Sequence, residues 1–234
     1  MNIILLFKED FITDNRVRLS GRRFEHMTEV LKVQLDAELC VGLENGKIGK
    51  GKVVALNDTI ELEVSLTQDP PPAIEATLIL ALPRPHLLKR SLFFATMLGI
   101  KNIHLLHFNR VEKSLWNSSA LKPETIKEHL TLGLEQAKDT VMPKVFLHSQ
   151  FKPFVEDEMP DLVKGRCAIV GDPNGLNLTS CKITKPLILI IGPEGGIIPF
   201  ELILLAQMGI KPVNFGQRIL RVDAALAYIV AKLF

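Results

Sequence analysis

Residues 187–196, Leu187-Ile188-Leu189-Ile190-Ile191-Gly192-Pro193-Glu194-Gly195-Gly196, carry the reading of the fold. The apolar run is far too short to span a bilayer and reads as a strand buried in a parallel sheet. It passes directly into a turn with three glycines and a proline; Pro199 then opens a helix over 200–208 that stops at Gly209. Glycines let a ligand approach the backbone, and open N–H groups at a helix start can bond a carboxylate or an adenine edge. An ordinary tight strand-to-helix connection uses the same residues, and the glycines alone leave the two readings level.

The pattern repeats outward. Ala76–Leu82, Ile103–Phe108, Cys167–Gly171 and Val213–Phe215 are further short apolar runs. Helical stretches lie between them: 124–137, opened by Pro123 and burying Ile126, Leu130, Leu134 and Ala137, and 223–233 at the end. Such alternation predicts an α/β domain over 73–234, with a parallel sheet covered on both faces. Asp69-Pro70-Pro71-Pro72 marks its beginning, because consecutive prolines continue neither ladder nor helix. Residues 1–69 read differently. Strands are expected at Ile3–Phe7, Glu38–Leu43, Lys47–Ala55 and Thr59–Leu66, with Asn45-Gly46 as a hairpin turn whose two central residues take positive φ. One helix carries Phe24, Met27, Val30 and Leu31, and the sum is a small β-barrel.

Of the 234 residues 47% are apolar and 23% charged, enough to build a core and too few charges for a disordered chain. A formal net charge of only +2 means that contact with nucleic acid must come from local patches. Cys40, Cys167 and Cys181 have no CxxC spacing, so neither a disulfide framework nor a zinc site is indicated. Cys167 reads as a buried thiol and the set suits a reducing cytosol. The run 2–7 reads as a first strand and not a secretory signal, and the chain is expected to be soluble and cytoplasmic, with no membrane partner.

Familiar nucleotide motifs fail. Gly46-Lys47-Ile48-Gly49-Lys50-Gly51-Lys52 approaches a P-loop, but Val53 stands where a hydroxyl would hold magnesium, and a strand follows. No GxGxxG, HExxH or GxSxG occurs. A second glycine loop does: Phe215-Gly216-Gln217-Arg218-Ile219-Leu220-Arg221, ahead of a helix from Val222. Two arginines at a helix start run against the helix dipole, and residues placed against local preference point toward function. Arg16, Arg18, Arg22, Arg23 and Lys32, with Arg84, Lys89 and Arg90, form a basic set suited to RNA phosphates, although any one alone reads as a solvated charge. Few aromatics are interleaved, so stacking is not the main grip. His104 and His107 read as core or edge residues.

Taken together, Gly192–Gly196, Glu201 and the GxRILR run Gly216–Arg221 resemble the signature of the 16S rRNA (uracil-N3) methyltransferase family of the SPOUT superfamily. Arg22–Lys32 is similar to its "H..VLR" segment, Gly133–Gln136 with Pro143 to its "EQ…P" helix end, and Met97-Leu98-Gly99-Ile100 to its "ELGV". The resemblance covers nearly the whole chain. It implies a PUA-like RNA-binding barrel, a SPOUT domain with a deep trefoil knot, and a homodimer with active sites at the subunit interface. It further implies S-adenosylmethionine as methyl donor, no metal, and 16S rRNA of the small ribosomal subunit as partner. The donor would be enclosed by Gly171-Asp172, by Gly192, Pro193, Glu194, Gly195 and Gly196, and by Gly216, Ile219 and Leu220. The chain departs from the pattern at Met97, at Val222-Asp223-Ala224-Ala225 in place of "TETA", and at Ile198-Pro199, which removes a side-chain helix cap. A backbone-built donor site tolerates these changes; target choice depends on side chains near Arg221.

Uridine N3 must lose a proton to become nucleophilic. Arg221 is expected to stabilise the resulting anion, since an arginine cannot serve as the base. Asp223 is either the proton acceptor or a structural helix-start aspartate. Glu194 either orders the donor loop or simply hydrogen-bonds neighbouring N–H groups, and the structural role is the favoured reading. Rival readings are a SPOUT enzyme with another RNA target and a non-catalytic RNA-binding assembly factor.

Overall fold

A computed structural model describes residues 2–234. They form two compact units, one of residues up to 72 together with 131–142, the other of 73–130 together with 143–234.

The first unit is a curled six-stranded sheet of β1 (Ile4–Leu6), β2 (Phe11–Thr13), β3 (Arg16–Leu19), β4 (Glu38–Leu43), β5 (Ile48–Leu56) and β6 (Ile60–Gln68), in the order β1-β4-β5-β6-β3-β2. Only β1 and β4 pair in parallel. Side-chain alternation sets its core: Ile60, Leu62 and Val64 of β6 and Val17 and Leu19 of β3 point inward, while Glu61, Arg16 and Arg18 face out. The P-loop look-alike lies largely within β5, consistent with a hairpin and not a phosphate loop.

Three details depart from expectation. The short strands β2 and β3 were not foreseen. The helix around residue 27 exists as α1 (Gly21–Glu25) followed by a π-helical turn (His26–Val30), but only Met27 of its apolar set is fully buried, and Val30 is 64% exposed. A π turn rotates the side-chain stripe away from the 3.6-residue register on which the expectation rested. In the Asn-Gly turn only Asn45 takes positive φ. That turn is held from elsewhere in the unit: Asn45 N–H donates to the Thr140 carbonyl, and Asn45 Oδ1 accepts from Met142 N–H. Long-range bonds have replaced the local turn rule.

The second unit is built on β7 (Ala76–Ala81), β8 (Asn102–Leu106), β9 (Lys144–His148), β10 (Cys167–Asn177), β11 (Leu187–Ile191) and β12 (Lys211–Asn214). All pair in parallel, in the order β12-β10-β11-β7-β8-β9, so β11 is inserted between two strands that precede it in sequence. Helices α2 (Pro85–Met97), α3 (Pro123–Ala137), α4 (Phe151–Pro153), α5 (Met159–Val163), α6 (Pro199–Gln207) and α7 (Val222–Leu233) connect or follow the strands. β11 is buried along its whole length, as its unbroken apolar run predicts. β9 was not foreseen: it is an edge strand with Phe146 and Leu147 half exposed, so it lacks the continuous buried run by which the others are read. In α3, Ile126, Leu130 and Leu134 are buried and Ala137 only partly. Its last turns, from Thr131, belong to the first unit, which a division placed at the triple proline does not include. Cys167 is half-buried, not enclosed. Among the described residues no helix is long and apolar enough to cross a membrane.

Candidate functional site

Because the second sheet is all parallel, its strand C-termini share one edge. The register is close: Val170 of β10 lies opposite Ile190, Ile191 of β11 opposite Leu80, and Gly171 opposite Val213 of β12. β10 does not end at Gly171 as its apolar run suggested: it bulges between Gly171 and Leu176 and pairs with β12 again to Asn177. That bulge and the loops leaving β11 at Gly192–Gly196 and β12 at Phe215–Leu220 therefore lie side by side. This edge is where open α/β sheets bind ligands.

Packing explains two of the glycines and backbone conformation two more. A Cβ on Gly171 would stand 2.6 Å from the Phe215 ring, and one on Gly192 2.5 Å from Ile197. Gly196 and Gly216 have φ of +80° and +127°, in the region that favours glycine. Pro193 is buried, whereas Glu194, Gly195 and Gly196 are exposed. The Asn214 side chain ties two loops together: its Oδ1 accepts from Gly216 N–H at 2.7 Å, and its amide donates to the Pro173 carbonyl. Beyond Gly216, the amides of Gln217 to Leu220 donate to no group of the described chain, and Ile219 is 95% exposed.

Two residues to which the sequence assigned no role, Arg110 and the signature residue Glu201, shape the loop after β11. The Arg110 guanidinium donates to the Gly195 carbonyl. Glu201, 2% exposed at the third position of α6, accepts from Ile198 N–H at 3.2 Å and from Asn109 N–H at 2.6 Å. One carboxylate thus closes the start of α6 and fastens the loop after β8 to it, so the missing hydroxyl cap is offset. Glu194 itself makes no hydrogen bond or ion pair among the described residues, so neighbouring N–H groups are not bonded by it here. The signal for Glu201 was legible, since it stands three residues after the Ile198 cap.

Arg221 and Asp223 are brought together, with a third partner. Asp223, 4% exposed, takes Arg221 Nη2 at 2.7 Å and Nε at 3.2 Å, Arg90 Nη2 at 2.9 Å, and Ala224 N–H at 3.0 Å. The hydrogen bond from Arg221 holds the Asp223 carboxyl below the usual carboxylate range despite its burial, and the same bond raises the Arg221 guanidinium. A carboxylate so held is a poor proton acceptor. The geometry gives Asp223 the task of fixing two guanidiniums, and Arg90, expected among the phosphate contacts, is one of them.

The remaining basic set is largely neutralised in place. Arg16 and Arg18 both pair with Glu61, at 2.7 and 2.8 Å. Arg22 pairs with buried Glu135, whose carboxyl is pushed up by burial, and Arg84 with Glu112 at 3.5 Å. Arg23 is a structural residue: it grips Asp10 through two bonds of 2.6 and 2.7 Å, donates to the Leu5 carbonyl, and its side chain is 16% exposed. Lys32 has no ion-pair partner among the described residues.

His104 is buried, as expected, with Nδ1 3.0 Å from His148 Nε2; burial, then His148, pushes it down to about 4. His107 accepts from Trp116 Nε1 at 2.8 Å if its facing nitrogen is unprotonated. Among the described residues no group of three or more His, Cys, Asp or Glu could hold a metal ion.

Residues 70–233 match the RNA methyltransferase domain family, and this is the class of protein that the sheet and its loops define. A relative from Treponema pallidum, named ribosomal RNA small subunit methyltransferase E, is 30% identical over 96% of this chain and 87% of its own length. One from Borreliella burgdorferi, named ribosomal RNA small subunit methyltransferase E 1, is 22% identical over 96% and 94%. The chain belongs to the ribosomal RNA small subunit methyltransferase E family. Its fold is that of the Neisseria gonorrhoeae ribosomal RNA small subunit methyltransferase E solved with S-adenosyl methionine (TM-score 0.77, 18% identity, 99% of this chain and 96% of that one). A Legionella pneumophila protein solved with the same cofactor gives a TM-score of 0.74 at 17% identity, covering 100% and 97%.

Proposed function

We propose that this chain transfers the methyl group of S-adenosylmethionine to N3 of a uridine in 16S ribosomal RNA of the small subunit. The observation that carries the reading is the convergence of Gly171, Gly192–Gly196 and Gly216–Leu220 at one sheet edge, with a run of amides that no group among the described residues occupies. Such an edge fits a donor made of a nucleoside and an amino acid, because both can be read by backbone N–H and C=O groups. Family membership and the names of the relatives support the substrate.

Bound there, the donor supplies an already activated sulfonium methyl, so the chemistry calls for no metal. The chain's part is to seat the acceptor and to make N3 nucleophilic. Arg221, a fixed cation at all working pH values, stabilises the charge that develops on O2 or O4 as N3 loses its proton. Asp223, which also pairs with Arg90, holds that guanidinium in place. Residues 1–69 act as the PUA-like RNA-binding barrel and residues 73–234 as the SPOUT domain with its trefoil knot, in a cytoplasmic homodimer. Exposed Phe200, Ile203, Ile219 and Tyr228 of the second unit offer apolar surface for that second copy.

Nucleoside mass spectrometry on unmodified 16S RNA and small subunits, incubated with protein and donor, tests the reading. New 3-methyluridine is expected. Another methylated nucleoside would overturn the target, and no methylation with no donor binding by calorimetry would overturn the enzyme.

A further inference from the structure

An open surface cleft in the second unit, at the C-terminal ends of β8 and β9, plays no part in the donor site. It has a volume of about 510 Å³ and is lined by Trp116, Asn117, Ser118, Lys122, Leu147 and Ser149, among others. That volume is within the range that takes a small organic ligand. Its chemistry is mixed in a particular way: one aromatic face, one aliphatic wall, hydroxyls and an amide, and a lysine. Trp116 is the only tryptophan of the chain, and its ring is fixed because Nε1 donates to His107 Nδ1 at 2.8 Å. Lys122 makes no ion pair among the described residues, whereas all four arginines of the first unit are paired with carboxylates. A free cation beside a fixed aromatic face is what an unpaired nucleotide requires: a stacking platform for its base and a counter-charge for its phosphate.

Position supports this use. Leu147 pairs with Leu105, Leu105 with Leu80, and Leu80 with Ile191, so the cleft lies level with the end of β11 along the same sheet edge. Three strand spacings, about 14 Å, separate them. A few nucleotides of unstacked strand cross that distance.

We infer that this cleft is an RNA subsite, which seats the base of an unpaired nucleotide flanking the methylated one against Trp116, with Lys122 on its phosphate. The inference rests on the methyltransferase reading of the neighbouring loops and adds to it a residue set that reads the substrate beside its target.

The test uses the intact protein, whose single tryptophan reports on the site directly. Titration with a short oligouridylate is expected to quench Trp116 fluorescence saturably, less so at high salt. Trp116→Leu is expected to raise the KM for RNA roughly 5- to 150-fold while kcat and donor affinity hold, with Trp116→Phe restoring most of the loss. Lys122→Ala is expected to weaken binding and to lower the salt slope by about one. No quenching by oligouridylate, or an unchanged KM in Trp116→Leu and Lys122→Ala, overturns the subsite. Either result leaves the methyltransferase reading standing provided that wild-type protein still methylates RNA; loss of donor binding and methylation in the wild type refutes that reading instead.

Discussion

Replacing Glu201 tests whether one buried carboxylate holds the donor loop in shape. Its Oε1 accepts from Asn109 N–H and its Oε2 from Ile198 N–H, and it is 2% exposed. Hydrogen bonds to a charged group are each worth about 1.5–3 kcal/mol. Alanine removes both and leaves two donors unmet; since Asn109 is exposed, water recovers part of the loss, and a net cost of about 2–4 kcal/mol is expected. With a urea slope of roughly 2 kcal/mol/M, the unfolding midpoint falls by about 1–2 M. Glutamine is an incomplete rescue, because its NH2 must face one of the two N–H groups, and it should recover about half the loss. The same variants should weaken donor binding by calorimetry, about tenfold or more for alanine, since the loop after β11 is no longer fixed to the loop after β8. An alanine variant with unchanged midpoint and unchanged donor affinity would refute the reasoning, as would full rescue by glutamine.

Arg221→Ala is expected to lower kcat roughly 10²–10³-fold with donor affinity unchanged, measured by methylation kinetics and calorimetry; equal loss of both would remove its electrostatic role. Arg23→Ala should cost about 3 kcal/mol in urea unfolding, by stranding Asp10, and leave the salt dependence of RNA binding alone; the reverse pattern would restore Arg23 to the phosphate contacts. His104 is held neutral in the folded chain, so its contribution to stability is complete above the ordinary histidine range and is lost as pH falls from about 6.5 toward about 4. Its NMR titration is expected near the lower value, and a midpoint close to 6.5 would show that the ring is not buried in solution.

Much of the architecture was legible because its cause is local. An unbroken apolar run marks β11, prolines open α3 and α6, and alternation marks β6. β9 and α2 escaped: an edge strand wets half its apolar residues, and α2 has no polar cap to announce it. The same holds for the candidate site. Glycine loops declare themselves through composition, whereas Arg90, Arg110 and Trp116 are ordinary residues until the sheet brings them to its edge.

By itself, then, the sequence determined which segments must be buried strands, where the backbone needs glycine, and that two such loops precede helices. These follow from each residue's own sterics and from apolar periodicity. Only the tertiary structure decided strand order, the insertion of β11 between β7 and β10, and which charge meets which. Arg23 left the phosphate contacts for Asp10, and Asp223 became a holding group between two arginines, because partners 13 and 133 residues away in the chain are adjacent in space. Pairing across such separations is set by packing, on which the periodicity of either segment carries no information.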